Sequence, residues 1–124
     1  MNFFEDAFRY FTNLDKEASA KHILLTGPNA SKELEIVKQN IMANVTANNT
    51  DLLTAFSDQA MLVSRCPSSK RGGNLGTFKP GMLVREIDRV CFEKEIGVIH
   101  GPVETQFGSH LILVTRRVDD KGTS

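Results

Sequence analysis

No apolar run in the 124 residues approaches the ~20 that a membrane-spanning helix needs, which argues against a helical membrane protein. The N-terminus lacks the basic start and unbroken apolar core of a secretory signal peptide. An intracellular protein is therefore expected, cytoplasmic or organellar, such as plastid if a transit peptide has been removed. Charge of one sign is missing as well. Fifteen basic residues balance fifteen acidic ones, so net charge gives no pull toward nucleic acid or an anionic bilayer. Cysteine is scarce. Cys66 and Cys91 make no disulfide framework and suit two reduced thiols. Together with His22, His100 and His110 they include no close pair of the usual zinc spacing, so no metal is expected. Internal repeats and low-complexity linkers are absent. The Asn-x-Ser/Thr triplets at Asn29, Asn44 and Asn48 read as chance.

What remains is the composition of an ordinary soluble domain, with about 40% hydrophobic and 24% charged residues. The length suits one core, and a monomer is expected. Phe3, Phe4, Ala7, Phe8, Phe11 and Leu14 recur at helical spacings and form an apolar stripe. Residues 1–18 are expected to be an amphipathic extension, either docked on the domain or presented to a partner or a membrane surface. Few basic residues flank the stripe, which weakens the membrane version. Residues 19–118 are expected to form the domain and 119–124 a disordered tail.

Within the domain, Ala18 to Thr26 reads as a strand, with His22, Leu24 and Thr26 on one face and Ile23 and Leu25 on the other. Gly27-Pro28-Asn29 reads as a turn. Ser31 is the expected N-cap of a helix whose inner stripe is Leu34, Val37, Ile41 and Val45. Asp51 is placed to cap a second helix, with Leu52, Leu53, Phe56 and Ala60 inward. Leu75 to Phe78 reads as a short strand. After the turn at Lys79-Pro80-Gly81, the residues Leu83, Ile87, Val90 and Cys91 fit a third helix. Ile96 to Val103 reads as a weaker strand and Gln106 to Gly108 as a turn. In the final strand, Ser109 to Arg117, His110, Ile112 and Val114 alternate with Leu111, Leu113 and Thr115. Strands at both ends with helices between them indicate an α+β layer, helices against a small sheet.

The chain is organised around Ser64 to Phe78, SRCPSSKRGGNLGTF. Here a thiol, a proline, three glycines and two basic residues crowd between apolar elements. Pro67 pushes Cys66 toward extended backbone, and the glycines permit turns that other residues resist. Such a shaped loop on a rigid scaffold is where a site is expected. If the first and last strands lie side by side, His22 and His110 come close to Thr105, and two imidazoles and a hydroxyl can share hydrogen bonds. Each histidine on its own also fits a satisfied core residue. Cys66 permits three readings, a nucleophile activated by a histidine, a polar neighbour of a non-covalent site, or an inert thiol. A Cys–His hydrolase would also need an oxyanion hole and an orienting group, and neither is signalled.

CPSSKRGGNLGTF followed by GMLV, then GPVETQFGSHLILVTRR, with HILL at residues 22–25, resembles the parvulin family of peptidyl-prolyl cis/trans isomerases. The likeness runs from Lys21 to Arg117. It implies a four-stranded antiparallel sheet surrounded by about four helices. It also implies a polar network of His22, Thr105 and His110 beneath the site, with Cys66 in an electrostatic role beside the rotating amide. Leu75, Leu83 and Phe107 match apolar proline-pocket positions, and Ile87 stands where the family commonly carries phenylalanine. Gln106 and Phe107 resemble the branch that accepts apolar residues before proline. The loop from Thr26 to Ser31 carries no Arg or Lys, so a phosphate requirement is not expected despite Lys70-Arg71.

The expected activity is thus non-covalent rotation about X-Pro bonds in proline-containing peptides and unfolded protein segments, without cofactor or metal. The alternative is a chaperone-like module that holds such segments with little catalysis. Ile87 and the aromatic N-terminal stripe motivate it.

Overall fold

A computed structural model describes residues 16–118. Expectations for residues 1–15 and 119–124 lie outside it. The sheet contains β1 (Glu17–Leu25), β2 (Asn74–Phe78), β3 (Ile99–Thr105) and β4 (Gly108–Val118). The helices are α1 (Ala30–Ala47), α2 (Leu52–Val63) and α3 (Arg85–Glu93), with a 3-10 segment over Pro67–Arg71. About four helices were expected; among the described residues there are three, and the fourth helical piece is that short 3-10 segment. β1 begins at Glu17, one residue before the strand expected from Ala18, and Ala18 is fully buried.

The strand order is β2-β1-β4-β3 and every pairing is antiparallel. The first and last strands form the central pair, from Glu17 opposite Val118 to Leu25 opposite Ser109. Alternation along them separates two cores. Ile23, Leu25, Leu111 and Leu113 face α1 and α2, where Leu34, Ile41, Phe56 and Ala60 close the layer. Ala18, Ala20, Ile112 and Val114 face the other side, where Ile87, Val90 and Cys91 of α3 cover one end. His22 and His110 share this second face. A one-residue slip in the β1–β4 register would turn the slipped strand's ring into the opposite core and part the two histidines, so apolar burial on two sides fixes their position.

Local signals explain the helix ends. Asp51 caps α2 as expected, its carboxylate accepting from Thr54 N–H at 2.9 Å and from the Thr54 hydroxyl at 2.8 Å. Ser31 is not the cap of α1. Asn29 holds that position, and the Ser31 hydroxyl reaches across to Glu104 and Ser109 instead. Leu53, expected inward, is exposed on the outer side of α2. The strand expected from Ile96 starts at Ile99, because Gly97 turns the chain with φ +81° and donates its N–H to Val114 O at 2.9 Å. Among the described residues no helix is long and apolar enough to cross a membrane.

Candidate active site

α2 ends at Val63, and the following loop runs along β1 as an extra edge. Arg65 N–H donates to Leu24 O at 2.7 Å, and Leu24 N–H donates to the Ser64 hydroxyl at 3.0 Å. Cys66 then caps the 3-10 segment, with Pro67 at its first position, where a missing N–H costs nothing. The segment ends in two left-handed glycines, Gly72 at φ +66° and Gly73 at φ +82°. Gly73 O accepts from His22 N–H at 2.9 Å, and a Cβ on Gly73 would overlap the His22 carbonyl. The glycine pair therefore sets the close approach of the loop to the β1 backbone at His22, and Cys66 and His22 line the same hollow.

On the sheet face beside α3 lies a hollow of about 340 Å³. β1 contributes His22 and Leu24, and the loop gives Arg65, Cys66 and Pro67. Leu75 enters from β2 and His110 from β4. Leu83, Val84 and Ile87 come from the start of α3 and the residues before it, and Phe107 from the β3–β4 turn. Leu75, Leu83, Ile87 and Phe107 thus share one hollow with Cys66. Ile87 is buried at its floor, and Phe107 stands 55% exposed at its rim. Gln106 does not join them. It occupies the other position of the β3–β4 turn, is exposed, and is not among the lining residues.

The polar side of the hollow is a continuous chain. His22 Nδ1 and His110 Nδ1 lie 3.1 Å apart, and the rings stack with centroids 5.2 Å apart at 21°. His110 Nε2 is 2.7 Å from the Thr105 hydroxyl, which also accepts the Phe107 N–H at 3.1 Å. The network therefore reaches from the sheet centre to the backbone that carries the rim aromatic. Burial, with the neighbouring His110 adding to it, pushes the His22 imidazole down to about 4. Burial lowers His110 too, against the opposing pull of Glu104 and Glu86. Both rings are thus neutral near pH 7, and Arg65 is the one charged residue lining the hollow.

This arrangement bears on the three readings of Cys66. The ring nitrogens of His110 are engaged by Thr105 and His22, and His22 Nε2 is buried without any partner. Among the described residues no imidazole is hydrogen-bonded to the Cys66 sulfur, so the hydrogen-bonded Cys–His pair that would generate a thiolate nucleophile is not formed. Cys91, the other thiol, is buried behind α3 and pushed up to about 12 by that burial, which makes it inert. Among the described residues, no group of three His, Cys, Asp or Glu side chains is placed to hold a metal ion.

Four lining residues escaped the sequence reading. Leu24 has the same parity on β1 as His22, so alternation was the available signal. Arg65 and Pro67 flank Cys66. Val84 is the residue before α3, and nothing in its spacing distinguishes it from core.

Known proteins agree with this geometry. The family model described as Rotamase, PPIC-type PPIASE domain, matches residues 22–116. The foldase protein PrsA of Geobacillus kaustophilus is 30% identical over 113 residues, covering 90% of this chain and 36% of that protein. The peptidyl-prolyl cis-trans isomerase Pin1 of Digitalis lanata is 31% identical over 87 residues, covering 70% of this chain and 67% of its own. The solved structure of NmPin, the parvulin of Nitrosopumilus maritimus, shares the fold with a TM-score of 0.60 at 24% identity, over 82% of this chain and 97% of that one. The chain spans about a third of the length of the PrsA relative. With residues 22–116 matched by the family model and the strand order, hollow and histidine pair in place, the chain belongs to the PPIC-type peptidyl-prolyl cis/trans isomerase, or parvulin, family.

Proposed function

We propose that this domain catalyses cis/trans rotation about X-Pro bonds in exposed, flexible or unfolded protein segments, acting as a monomer and without a covalent intermediate. The observation that carries the reading is the single hollow in which Leu75, Leu83, Ile87 and Phe107 surround a space bordered by Cys66 and the neutral histidine pair. Rotation faces a barrier of ~18–20 kcal/mol because resonance gives the amide partial double-bond character. Water stabilises that dipolar resonance better than hydrocarbon does. Enclosing the pyrrolidine and its amide among aliphatic side chains therefore favours the twisted form, and every ~1.4 kcal/mol removed speeds rotation tenfold.

The chain's own residues divide the work. Leu75, Leu83 and Ile87 grip the ring and exclude water, with Phe107 closing from the rim. Thr105 fixes Phe107 through its backbone N–H, His110 holds Thr105, and His22 holds His110. Cys66 presents a polarisable sulfur edge to the rotating bond. The β1–α1 turn, Thr26 to Asn29, offers no cation, which supports turnover without a phosphate before proline. Two free thiols, one of them buried, suit a reducing intracellular compartment.

A protease-coupled assay on X-Pro peptides tests the proposal. The expected result is catalysed cis-to-trans conversion well above the spontaneous rate. Peptide binding with no acceleration would leave only a holding module.

A further inference from the structure

The β3–β4 hairpin is held on both of its faces. On the site face the Thr105 hydroxyl meets His110 Nε2 at 2.7 Å and accepts the Phe107 N–H at 3.1 Å. On the back, Glu104 stands directly opposite Ser109 in the strand register. One carboxylate oxygen of Glu104 accepts from the Ser109 hydroxyl and from the Ser31 hydroxyl. Those two hydroxyls lie 3.1 Å apart, and each directs its single proton to the carboxylate. Ser109 is buried. The cluster joins β3, β4 and α1, and no step of the proposed reaction uses it.

The anchor of this cluster is firm. Ser31 lies in the first turn of α1, where Ala30 is buried in the core and the Glu33 N–H donates to Asn29 O at 2.9 Å. The strand it holds has less support. β3 is an edge strand, paired among the described strands with β4 alone. Lys38 of α1 donates to Gly101 O at 3.2 Å near the start of β3, and Ser31 meets Glu104 near its end. Just beyond Glu104 come Thr105, Gln106 and the rim residue Phe107, whose side chain is more than half open. An aromatic ring with so little packing of its own takes its aim from the backbone that carries it.

We propose that Glu104 is a positioning residue for this site: its carboxylate latches the β3–β4 hairpin onto the start of α1 and thereby holds Phe107 over the proline hollow. The inference rests on the isomerase reading and deepens it, because it assigns the fixing of the rim to a side chain outside the hollow. Phe107 grips the ring in the planar and the twisted state alike. Loosening it weakens both by one factor, which raises KM and leaves kcat nearly unchanged. The Glu104 charge also favours protonated His110, so the test separates an acceptor role from a charge role.

The test uses the full chain and an Ala-Pro peptide. Kd is measured by titration, kcat and KM by the protease-coupled assay, and isomer exchange by NMR. Glu104→Ala is expected to raise Kd and KM about fivefold and to change kcat less than about twofold, the size of freeing one aromatic side chain that binding must order again. Glu104→Gln, whose amide oxygen still accepts from both hydroxyls, should stay within about twofold of the unaltered chain. Ser31→Ala cuts only the tie to α1 and should raise Kd about threefold. In a Phe107→Ala background neither alanine substitution should weaken binding further. Losses that persist in that background would overturn the proposal. So would an unchanged Kd in Glu104→Ala, or in Ser31→Ala should the former not fold. An equal loss in Glu104→Gln would overturn it too, by assigning the effect to charge at His110. Binding that follows the expected pattern on a chain with no accelerated isomer exchange would uphold the latch and remove the isomerase reading.

Discussion

Acidification should destabilise this domain well before its carboxylates titrate. His22 is pushed down to about 4 in the folded chain by burial and by His110, and an unfolded histidine titrates near 6.5. Above that pH neither state carries the proton and stability is flat. Below it the unfolded chain takes up a proton that the folded chain refuses, so stability falls by ~1.4 kcal/mol per pH unit until about pH 4. Between about pH 6.5 and 5, His22 alone removes about 2 kcal/mol, a large part of a small domain's 5–15 kcal/mol. His110 is lowered as well and adds to the loss. Asp51 and Glu104 are held below their ordinary values by hydrogen bonds, from Thr54 for the first and from Ser109 and Ser31 for the second. They favour the folded state above those values and lose that contribution only below about pH 4–4.5, outside the window. Burial raises Asp88, which acts in the opposite sense over the same acid range. Urea unfolding followed by circular dichroism between about pH 7 and 5 reads the effect directly. The midpoint should fall steadily below about pH 6.5, and His22→Asn should show a shallower slope. A stability that stays level to pH 5 would mean the histidines are not held neutral and would refute the reasoning.

Leu83→Ala should lower kcat/KM by about tenfold, from the apolar contact it removes, whereas Cys66→Ser should cost less than about threefold. The reverse order in the coupled assay would give the thiol the larger role. Gly73→Ala should lose at least ~2 kcal/mol and about 10 °C in Tm, because its Cβ would overlap the His22 carbonyl at φ +82°. Gly76→Ala, equally left-handed at φ +80° but with open space around it, should cost only about 1 kcal/mol, and equal losses would contradict the close approach. Replacing leucine by glutamate before proline in the assay peptide should not raise kcat/KM. A strong glutamate preference would point to an anion site.

The central sheet was legible because both of its middle strands bury two faces. Along β1 and β4, period-two alternation put His22 and His110 on one side and Ile23, Leu111 and Leu113 on the other, and tertiary packing had no reason to override it. The Asp51 cap was legible because its partner is three residues away. Ser31 was misread because its partners, Glu104 and Ser109, are more than seventy residues distant and reach it only after the sheet closes. Leu53 was misread because two adjacent leucines cannot both face one core, and spacing alone did not choose between them. The proline hollow draws side chains from β1, β2, β4, α3 and three connecting segments. No local pattern assembles such a set, and the family motifs were what brought Leu75, Leu83, Ile87 and Phe107 together. Those motifs also carried Gln106, whose place in a two-residue turn leaves it exposed beside the hollow while Phe107 enters it.

The account turns on one enclosed space in which a proline ring is held while its amide rotates. NMR exchange spectroscopy on an Ala-Pro peptide, with labelled protein observed in the same sample, tests this most directly. The expected result is isomer exchange accelerated far above the uncatalysed rate, with shift changes concentrated at Leu75, Leu83, Ile87, Phe107 and Cys66. Exchange at the spontaneous rate, or shifts clustered away from those residues, would contradict it.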